Sequence, residues 1–244
     1  MKKNEGIPLP CLVILLLSSL VSLLPAPLTG TIGAETLTYR EVEGDLTVTH
    51  TLVIMPAPPG YGIELTSQGG DGSAVRQTFR TTADLAALAW TFSDPGRRME
   101  LAAGVQGDEI VLSGSFNGKK VDKRFPASGA PWNQLFQMGL VPFVLGNDES
   151  RQFRSIGTRG PGELKIGKFT ATRRDGEKIL LAGKEIETIH LRISLSGLLS
   201  IFWHGDYWYR KSDGRFLRYR GKNRPGGGPV AVSELVMEKV DGNQ

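Results

Sequence analysis

The sequence predicts an all-β protein: a curled or half-barrel meander sheet, mainly antiparallel, with one short amphipathic helix against its concave face. Three observations support this fold class. Apolar and polar residues alternate with period two along most of the chain, as they do in half-buried strands. Short turns rich in Gly, Asp and Asn separate these segments. One segment has the apolar spacing of a helix instead.

The first hairpin shows this alternation most clearly. Residues 36–42 and 46–52 are rich in Thr and Val and flank a Gly44-Asp45 turn. Because successive side chains of a strand point to opposite sides, each strand has two faces. One face of the first strand carries Leu37, Tyr39 and Glu41, and one face of the second carries Leu46, Val48, His50 and Leu52.

Further strands follow almost to the end of the chain, divided by turns such as Asp94-Pro95-Gly96, Asn117-Gly118 and Gly205-Asp206. Residues 84–90 fit either a short helix or the entry to a strand. A sheet with this many strands must curl, split or close to protect its edges. The strands predicted after the first hairpin cover residues 61–68, 73–80, 89–93, 98–103, 109–116, 119–125, 152–156, 162–173, 177–186, 188–196, 200–204, 207–211, 215–220 and 230–240.

The helical pattern begins near Pro131, a residue that suits the first position of a helix. Trp132, Leu135 and Phe136 follow at helical spacing. Pro142 must break or kink any extension. We therefore expect one amphipathic helix of about two or three turns at 3.6 residues per turn.

Residues 1–34 have the pattern of a secretory signal. Lys2 and Lys3 precede an apolar run over residues 11–24, which is shorter than the roughly 20 residues of a membrane-spanning helix. Small residues follow, and we expect cleavage after Ala34; a retained anchor is the alternative. Residues 35–244 then form a single domain in the periplasm or cell envelope.

Composition excludes several functions. The only cysteine, Cys11, stands at the beginning of the apolar run rather than after it, so it does not suit lipidation, and cleavage removes it. The mature chain would then have no disulfide, catalytic thiol or cysteine-bound metal. The net charge of +4 is too small to indicate nucleic acid as a partner. We expect a monomer without a cofactor, and contact with a membrane surface stays open.

Six segments of the mature chain occur in a recognisable order. They are Tyr39-Arg40-Glu41-Val42, residues 89–94, residues 118–121, the Pro131 helix, residues 183–191 and residues 208–219. In this order they resemble a bacterial exported family catalogued as a domain of unknown function, number 3108. The resemblance implies an open or half-closed antiparallel sheet like that of envelope lipoprotein carriers, with the helix on the concave face. It implies no enzyme activity and no catalytic residue. The Arg-rich loop over residues 221–229 departs from the family pattern.

No motif in the sequence indicates catalysis. His50, His190 and His204 lie on different predicted strands, and none has a second ligand at metal-binding spacing. The chain has no Gly-x-Ser-x-Gly elbow to present a nucleophilic serine. We therefore expect no active site, no metal site and no enzyme activity.

Aromatic residues near the helix and the late hairpins give the leading candidate for a binding site. They either fill the core or line a groove for an acyl chain or another apolar ligand. Adjacent pairs such as Trp208-Tyr209 favour the groove slightly, because neighbours on a strand face opposite ways. The candidate groove residues are Trp90, Phe92, Trp132, Phe136, Phe143, Phe202, Trp203 and Trp208.

A basic segment surrounds the Ser212-Asp213-Gly214 turn. Such a cluster either protects a sheet edge by its solvated charge or contacts anionic lipid head groups. The candidate basic surface consists of Arg210, Lys211, Arg215, Arg218 and Arg220.

Three functional hypotheses follow from the sequence. The first is a non-catalytic binding or carrier protein for an apolar or lipid-like ligand. The second is a structural module that docks on another envelope protein through a strand edge or the basic hairpin. The third, a hydrolase, requires one of the histidines to meet a carboxylate in a cleft.

Overall fold

A computed structural model of the chain describes residues 33–158, 163–201, 203–223 and 228–240. Within these residues, fifteen strands join into one antiparallel sheet that does not close into a barrel, which confirms the predicted fold class. The strands are β1 (Glu35–Glu43), β2 (Leu46–Ala57), β3 (Gly60–Gly69), β4 (Ala74–Thr82), β5 (Ala87–Asp94), β6 (Met99–Gln106), β7 (Glu109–Phe116), β8 (Lys119–Pro126), β9 (Ser150–Thr158), β10 (Leu164–Arg173), β11 (Lys178–Leu181), β12 (Lys184–Leu195), β13 (His204–Arg210), β14 (Phe216–Gly221) and β15 (Ala231–Val240). The predicted leader falls on residues 1–32, outside the described residues, and on Gly33 and Ala34.

The first and last strands meet in the middle of the sheet. From β1 the strands run in sequence order to β8 at one edge, and from β15 they run back through β14, β13, β12 and β10 to β9 at the other edge. The short β11 pairs with β12 beside this path. Strand β1 therefore has β2 on one side and β15 on the other, so residues from both ends of the chain become neighbours on one face.

Most hairpins form at the predicted turns, but the predicted strand over residues 177–186 is divided. Ala182 and Gly183 adopt positive φ values of 48° and 77°, a conformation that makes a tight hairpin between β11 and β12. Residues 84–90 contain a turn and the start of β5, not a helix. Residues 200 and 201 of the predicted strand over residues 200–204 belong instead to the 3₁₀ helix Gly197–Ile201, which begins at a glycine with φ of 70°, and His204 begins β13.

The predicted Gly205-Asp206 turn lies inside strand β13. Gly205 pairs across the ladder with Gly221, and the ring of Tyr219 lies against both. A Cβ atom at Gly205 would lie 2.7 Å from a Tyr219 ring carbon, and one at Gly221 would lie 2.6 Å from the Tyr219 hydroxyl. Both glycines are therefore needed for close packing of this ring rather than for a turn.

The connection between the two edge strands contains the helical segment. It forms α1 (Phe136–Gly139) and α2 (Val141–Leu145), and the break between them agrees with the position of Pro142 in the first turn of α2. The helix begins later than Pro131 because residues 131–133 pair with β9 instead. The Arg154 N–H donates to the Pro131 carbonyl (2.9 Å), and the Asn133 N–H donates to the Arg154 carbonyl (2.8 Å).

Two arginines hold this connection in place. The buried guanidinium of Arg154 donates to the carbonyls of Ala130 (2.7 Å), Pro126 (2.6 Å) and Ala127 (2.7 Å). It thus links edge strand β9 to the end of edge strand β8, although no ladder joins the two strands. Arg173 of β10 donates to carbonyls at the end of α2, including that of Phe143 (2.6 Å), where helix carbonyls lack partners.

The inner face of the sheet carries the core. Leu37, Leu52 and Ile54 of the first hairpin are completely or almost completely buried, and Phe143 and Val144 of α2 pack into the same core. The helical segment therefore lies against the inner face, where the hydroxyl of Tyr209 donates to the Phe136 carbonyl (3.0 Å). Within the described residues, no helix combines the length and the apolar character needed to cross a membrane.

Candidate ligand-binding cavity

A cavity of about 290 Å³ lies between α1 and the inner face of the sheet. Its wall combines aliphatic, aromatic and polar side chains, and it contains no Lys or Arg among the described residues. The lining residues are Tyr39, Glu41, His50, Leu52, Leu65, Ser67, Gln77, Leu135, Gln137, Trp203, Tyr207, Phe216, Tyr219, Asn223 and Ser233.

One cross-strand row forms the floor of the cavity. Glu41 of β1 pairs with Ser233 of β15, Ser233 pairs with Tyr219 of β14, and Tyr219 pairs with Tyr207 of β13. Ser233 is the smallest of these side chains and is buried. The small Ser233 side chain leaves a hollow between the Glu41 carboxylate on one side and the tyrosines on the other. Strands β1 and β14, which carry Glu41 and Tyr219, are two strand spacings or roughly 10 Å apart.

Glu41, His50 and Ser67 form a polar line along one wall. His50 Nδ1 lies 2.8 Å from Ser67 Oγ, because the two residues are directly opposite each other on β2 and β3. His50 Nε2 lies 3.5 Å from Glu41 Oε2 and has no hydrogen-bond partner among the described residues. The arrangement places a histidine between a hydroxyl and a carboxylate inside the cavity.

The Glu41 carboxylate is largely withdrawn from water, with 18% of the side chain exposed. Burial acts to raise its pKa, but the neighbouring His50 imidazole and the Asn223 amide outweigh burial and hold the pKa of Glu41 below its ordinary value. Asn223 Nδ2 lies 2.9 Å from Glu41 Oε1 and 2.9 Å from Glu43 Oε2. Two carboxylates therefore share one neutral amide at this side of the cavity.

The opposite wall is aromatic. The rings of Tyr207 and Tyr219 are 4.9 Å apart between centroids, and Phe216 contacts the rings of both Tyr39 (5.3 Å) and Tyr207 (6.0 Å). Burial, followed by the charges of Glu41 and Glu43, raises the pKa of Tyr219. Burial also raises the pKa values of Tyr39 and Tyr207. The phenols remain neutral and present rings and hydroxyls to the cavity.

The predicted groove residues do not all meet at one place. Trp203 lines the cavity, and its indole donates to the Lys222 carbonyl (2.7 Å). Phe136 belongs to a ring cluster with Phe153 and Phe169 behind the cavity. Trp90 does not line the cavity itself. Its indole donates a hydrogen bond to Oε1 of Gln77 (3.0 Å), and Gln77 lines the wall.

The remaining predicted groove residues lie elsewhere. Phe92 packs beside Trp90 with 5.9 Å between ring centroids. Trp132 is buried against β9, and Phe143 is buried under Arg173 in the helical connection. Trp208 faces the outer side of the sheet, where it stacks on His190 at 4.7 Å, whereas its neighbour Tyr209 is fully buried inside. Phe202 is outside the described residues.

The predicted basic residues mostly have acidic partners. Arg210 pairs with Asp213 and Glu238 (both 2.9 Å), and Arg218 pairs with Glu234 (2.7 Å). Arg215 is inside the protein, where Glu35 binds both of its terminal nitrogens. Lys211 and Arg220 are exposed. Pairing with carboxylates leaves little free positive charge on this hairpin.

The other two histidines lie away from the cavity. His190 Nε2 is 2.9 Å from Asp206 Oδ1 on the outer face, and Arg192 binds the same carboxylate. Burial raises the pKa of Asp206, but the hydrogen bonds from Arg192 and His190 outweigh it and lower the pKa overall. His204 is exposed at the start of β13. The described part of the chain contains no group of three or more His, Cys, Asp or Glu residues suited to a metal ion.

Sequence reasoning missed much of this site. Tyr207, Tyr219, Ser67, Asn223 and Ser233 line the cavity but were not among the predicted groove residues. One available signal was the alternation in the first hairpin, because Glu41 and His50 occupy the same strand faces as Leu37 and Leu52. A charged or titratable residue in a core-facing register indicates either a buried pair or a site.

The fold of this chain is similar to that of a solved β-barrel-like protein. The solved structure of a β-barrel-like protein of domain of unknown function DUF1849 from Brucella abortus is similar over 86% of this chain and 98% of that chain, with a TM-score of 0.60 and 11% identity. At this identity the similarity shows the fold alone. No protein-family description and no curated protein matches this chain, so its membership of family 3108 stays a prediction.

Two further solved structures show weaker similarity. The hypothetical lipoprotein YmcC from Escherichia coli (K12) matches with a TM-score of 0.39 and 10% identity, over 84% of each chain. A putative outer membrane lipoprotein-sorting protein domain from Vibrio parahaemolyticus matches with a TM-score of 0.33 and 11% identity, over 86% of each chain. At these TM-scores neither similarity supports a shared function.

Proposed function

We propose that this protein is an exported envelope protein that binds one end of an amphiphilic, lipid-like ligand in the cavity below α1, without catalysis. The signal pattern over residues 1–34 supports export. The cavity is the observation that carries the binding function, because an antiparallel sheet with a filled inner face would leave no such space. Its volume of about 290 Å³ lies just below the roughly 300–1,000 Å³ of ligand pockets.

The lining supports an amphiphilic ligand rather than a purely apolar one. Leu52, Leu65 and Leu135 offer apolar contact, whereas Glu41, His50 and Asn223 offer polar contact in the same space. Such a mixture fits a polar group that continues into a short apolar chain. A cavity of this size fits the first carbons of a chain more readily than a whole acyl chain.

Docking on another envelope protein is less well supported. The carboxylates that pair with Arg210, Arg215 and Arg218 reduce the charge available to a partner. One edge of the sheet is also covered, since residues 131–134 occupy polar groups of β9. Strand β8 carries charged side chains along the other edge, a feature that opposes strand addition.

A cavity-filling variant tests the proposed function. We expect the mature protein to bind 1-octanol by calorimetry and to carry a co-purifying amphiphile by native mass spectrometry when it is isolated from its own host. Ser233→Phe should weaken octanol binding by about tenfold or more, which corresponds to about 1.4 kcal/mol, because the new ring occupies the floor of the cavity. Ser113→Phe, on the exposed side of β7, is the matched control and should stay within about twofold.

A second filling variant guards against misfolding of the first. Leu65→Trp fills the cavity from β3, and both variants are checked by thermal unfolding before titration. If folded Ser233→Phe and Leu65→Trp both bind octanol as the wild type does, the cavity is not the binding site. Absence of any bound amphiphile in both assays would contradict the proposed function.

Hydrolysis is the second candidate, favoured by the line of Glu41, His50 and Ser67. A serine 2.8 Å from a histidine that faces a carboxylate resembles the groups that activate a nucleophile. Ser67 nevertheless lies within β3, which pairs with strands on both sides, so the ladders use the surrounding backbone N–H groups. No free pair of backbone donors is therefore available there to stabilise an oxyanion.

We expect the protein not to hydrolyse p-nitrophenyl butyrate faster than buffer, and Ser67→Ala should not change that rate. The physical reason is the missing oxyanion site beside Ser67. Ester turnover that Ser67→Ala abolishes, with Ser113→Ala as the control, would favour the hydrolase instead.

A further inference from the structure

The cavity has an unbalanced charge. Glu41 lines it as a largely buried carboxylate whose polar neighbours are His50 and the neutral amide of Asn223. Glu43 approaches the same amide. No Lys or Arg lines the cavity among the residues that the structure describes. Burial acts to raise the pKa of Glu41, but the His50 imidazole and the Asn223 amide hold it below its ordinary value, so the carboxylate stays ionised. An ionised carboxylate that is largely withdrawn from water attracts a cation.

The opposite side of the hollow has a chemistry that also favours cations. Tyr219 and Tyr207 continue the row from Glu41 across Ser233, and their rings are 4.9 Å apart between centroids. The faces of aromatic rings attract ammonium groups, most strongly where water is excluded. Both rings are at least 90% buried. Burial in the first place, and then the charges of Glu41 and Glu43, raise the pKa of the Tyr219 phenol, so the phenol stays neutral beside the cation.

We infer that the ligand carries a cationic nitrogen, an organic ammonium, and that this group occupies the hollow above Ser233 between Glu41 and the rings of Tyr219 and Tyr207. This inference rests on the proposed function, because it names the chemistry of the ligand in the same cavity. The ammonium provides the permanent positive charge that none of the described lining residues carries. Its chain continues toward Leu52, Leu65 and Leu135.

Probes of equal chain length and different charge test this directly on the wild type. We expect n-octylammonium to bind at least about tenfold more tightly than 1-octanol, and octyl sulfate to bind most weakly, all measured by calorimetry below their micellar concentrations. Coulomb attraction at a partly buried carboxylate is large enough for this difference. Equal affinities for the three probes would overturn the inference but leave the proposed function standing. Failure of all three to bind would contradict both.

A second pair of probes separates a free organic ammonium ion from an ammonium group on an apolar chain. Choline and its uncharged isostere 3,3-dimethylbutan-1-ol have nearly the same shape without a long chain. If choline binds and the isostere does not, the ammonium alone is recognised. If neither binds while octylammonium retains its preference, the ligand is recognised as an amine on an apolar chain. Tighter binding of the isostere would contradict the inference.

Charge-neutral variants complete the test. Glu41→Gln keeps the shape of the side chain and should bring octylammonium and octanol to within about twofold of each other. Glu64→Gln, the matched control, removes a partly exposed carboxylate that pairs with Arg76 (3.2 Å) outside the cavity, and it should leave the preference intact. An unchanged preference in folded Glu41→Gln would overturn the inference.

One arginine of the chain needs its own control. Arg224 follows Asn223 in sequence and lies outside the described residues. We expect Arg224→Gln to preserve the preference for octylammonium that the wild type shows. A preference that appears only in Arg224→Gln would mean that the chain supplies its own cation, and it would overturn the inference.

Discussion

Arg154→Met should lower the free energy of unfolding by about 3–5 kcal/mol, because the buried guanidinium of Arg154 makes three charge-assisted hydrogen bonds. Their acceptors are the carbonyls of Pro126, Ala127 and Ala130. Methionine fills a similar volume but leaves these carbonyls without the donor. The result is measured by urea unfolding monitored by circular dichroism.

The same substitution should also loosen the connection that carries Leu135 and Gln137 into the cavity wall. We expect faster amide exchange over residues 127–135, where Arg154 links β9 to the end of β8. Arg76→Met is the control, since Arg76 is exposed on β4, and it should change stability by less than about 0.5 kcal/mol. If Arg154→Met unfolds at the wild-type urea concentration, the connection is held by its backbone pairing with β9 alone.

Arg215→Met should have an effect of similar size, a loss of about 3–5 kcal/mol in the free energy of unfolding, because it removes the guanidinium that pairs with the buried carboxylate of Glu35. Glu35 is 3% exposed, and its two oxygens accept hydrogen bonds from Arg215 at 2.7 and 2.5 Å. The pair joins the first residue of β1 to the residue before β14. Thermal and urea unfolding measure the loss.

A double variant distinguishes a buried pair from simple loss of packing. Glu35→Met combined with Arg215→Met removes both charges, and it should recover about 1–4 kcal/mol relative to Arg215→Met alone. Glu185→Gln is the control at an exposed pair with Lys178 and should change stability by less than about 1 kcal/mol. A double variant as unstable as the two single losses added together would show that the charges do not act as a pair.

The two stability variants and the ligand variants address different parts of one molecule. Arg154 and Arg215 fix the edges and the centre of the sheet, and neither lines the cavity. Glu41 and Ser233 line the cavity without belonging to these two arrangements. Loss of binding in Ser233→Phe with an unchanged unfolding curve would therefore report on the site itself.

Local sequence patterns predicted the secondary structure correctly where residues close together in sequence determine the backbone conformation. The Gly44-Asp45 and Asn117-Gly118 turns lie where expected, because glycine and asparagine tolerate the positive φ that a tight hairpin needs. The same rule was wrong at Gly205. There the glycine provides space for the Tyr219 ring. This packing requirement comes from a residue distant in sequence, so the residues next to Gly205 do not indicate it.

The candidate site was predicted only in part, for a related reason. Trp203 was singled out and lines the cavity, whereas Trp208 faces the other side of the sheet. Arg215 was predicted on the surface with the other basic residues, but its partner Glu35 comes from the opposite end of the chain. The sequence shows how many charged and aromatic residues the chain has, but it does not show which of them are in contact in the folded protein.

The sequence by itself determined the fold class, the period-two alternation and the faces of β1 and β2 that carry Glu41 and His50, because these features depend on residues two positions apart. The tertiary structure alone decided that Glu41 lies beside Ser233 and two strands from Tyr219, since this row requires the first and last strands to pair. The physical reason is the range of the interactions. Alternation is local, whereas a cavity exists only where strands distant in sequence place a small side chain between larger ones.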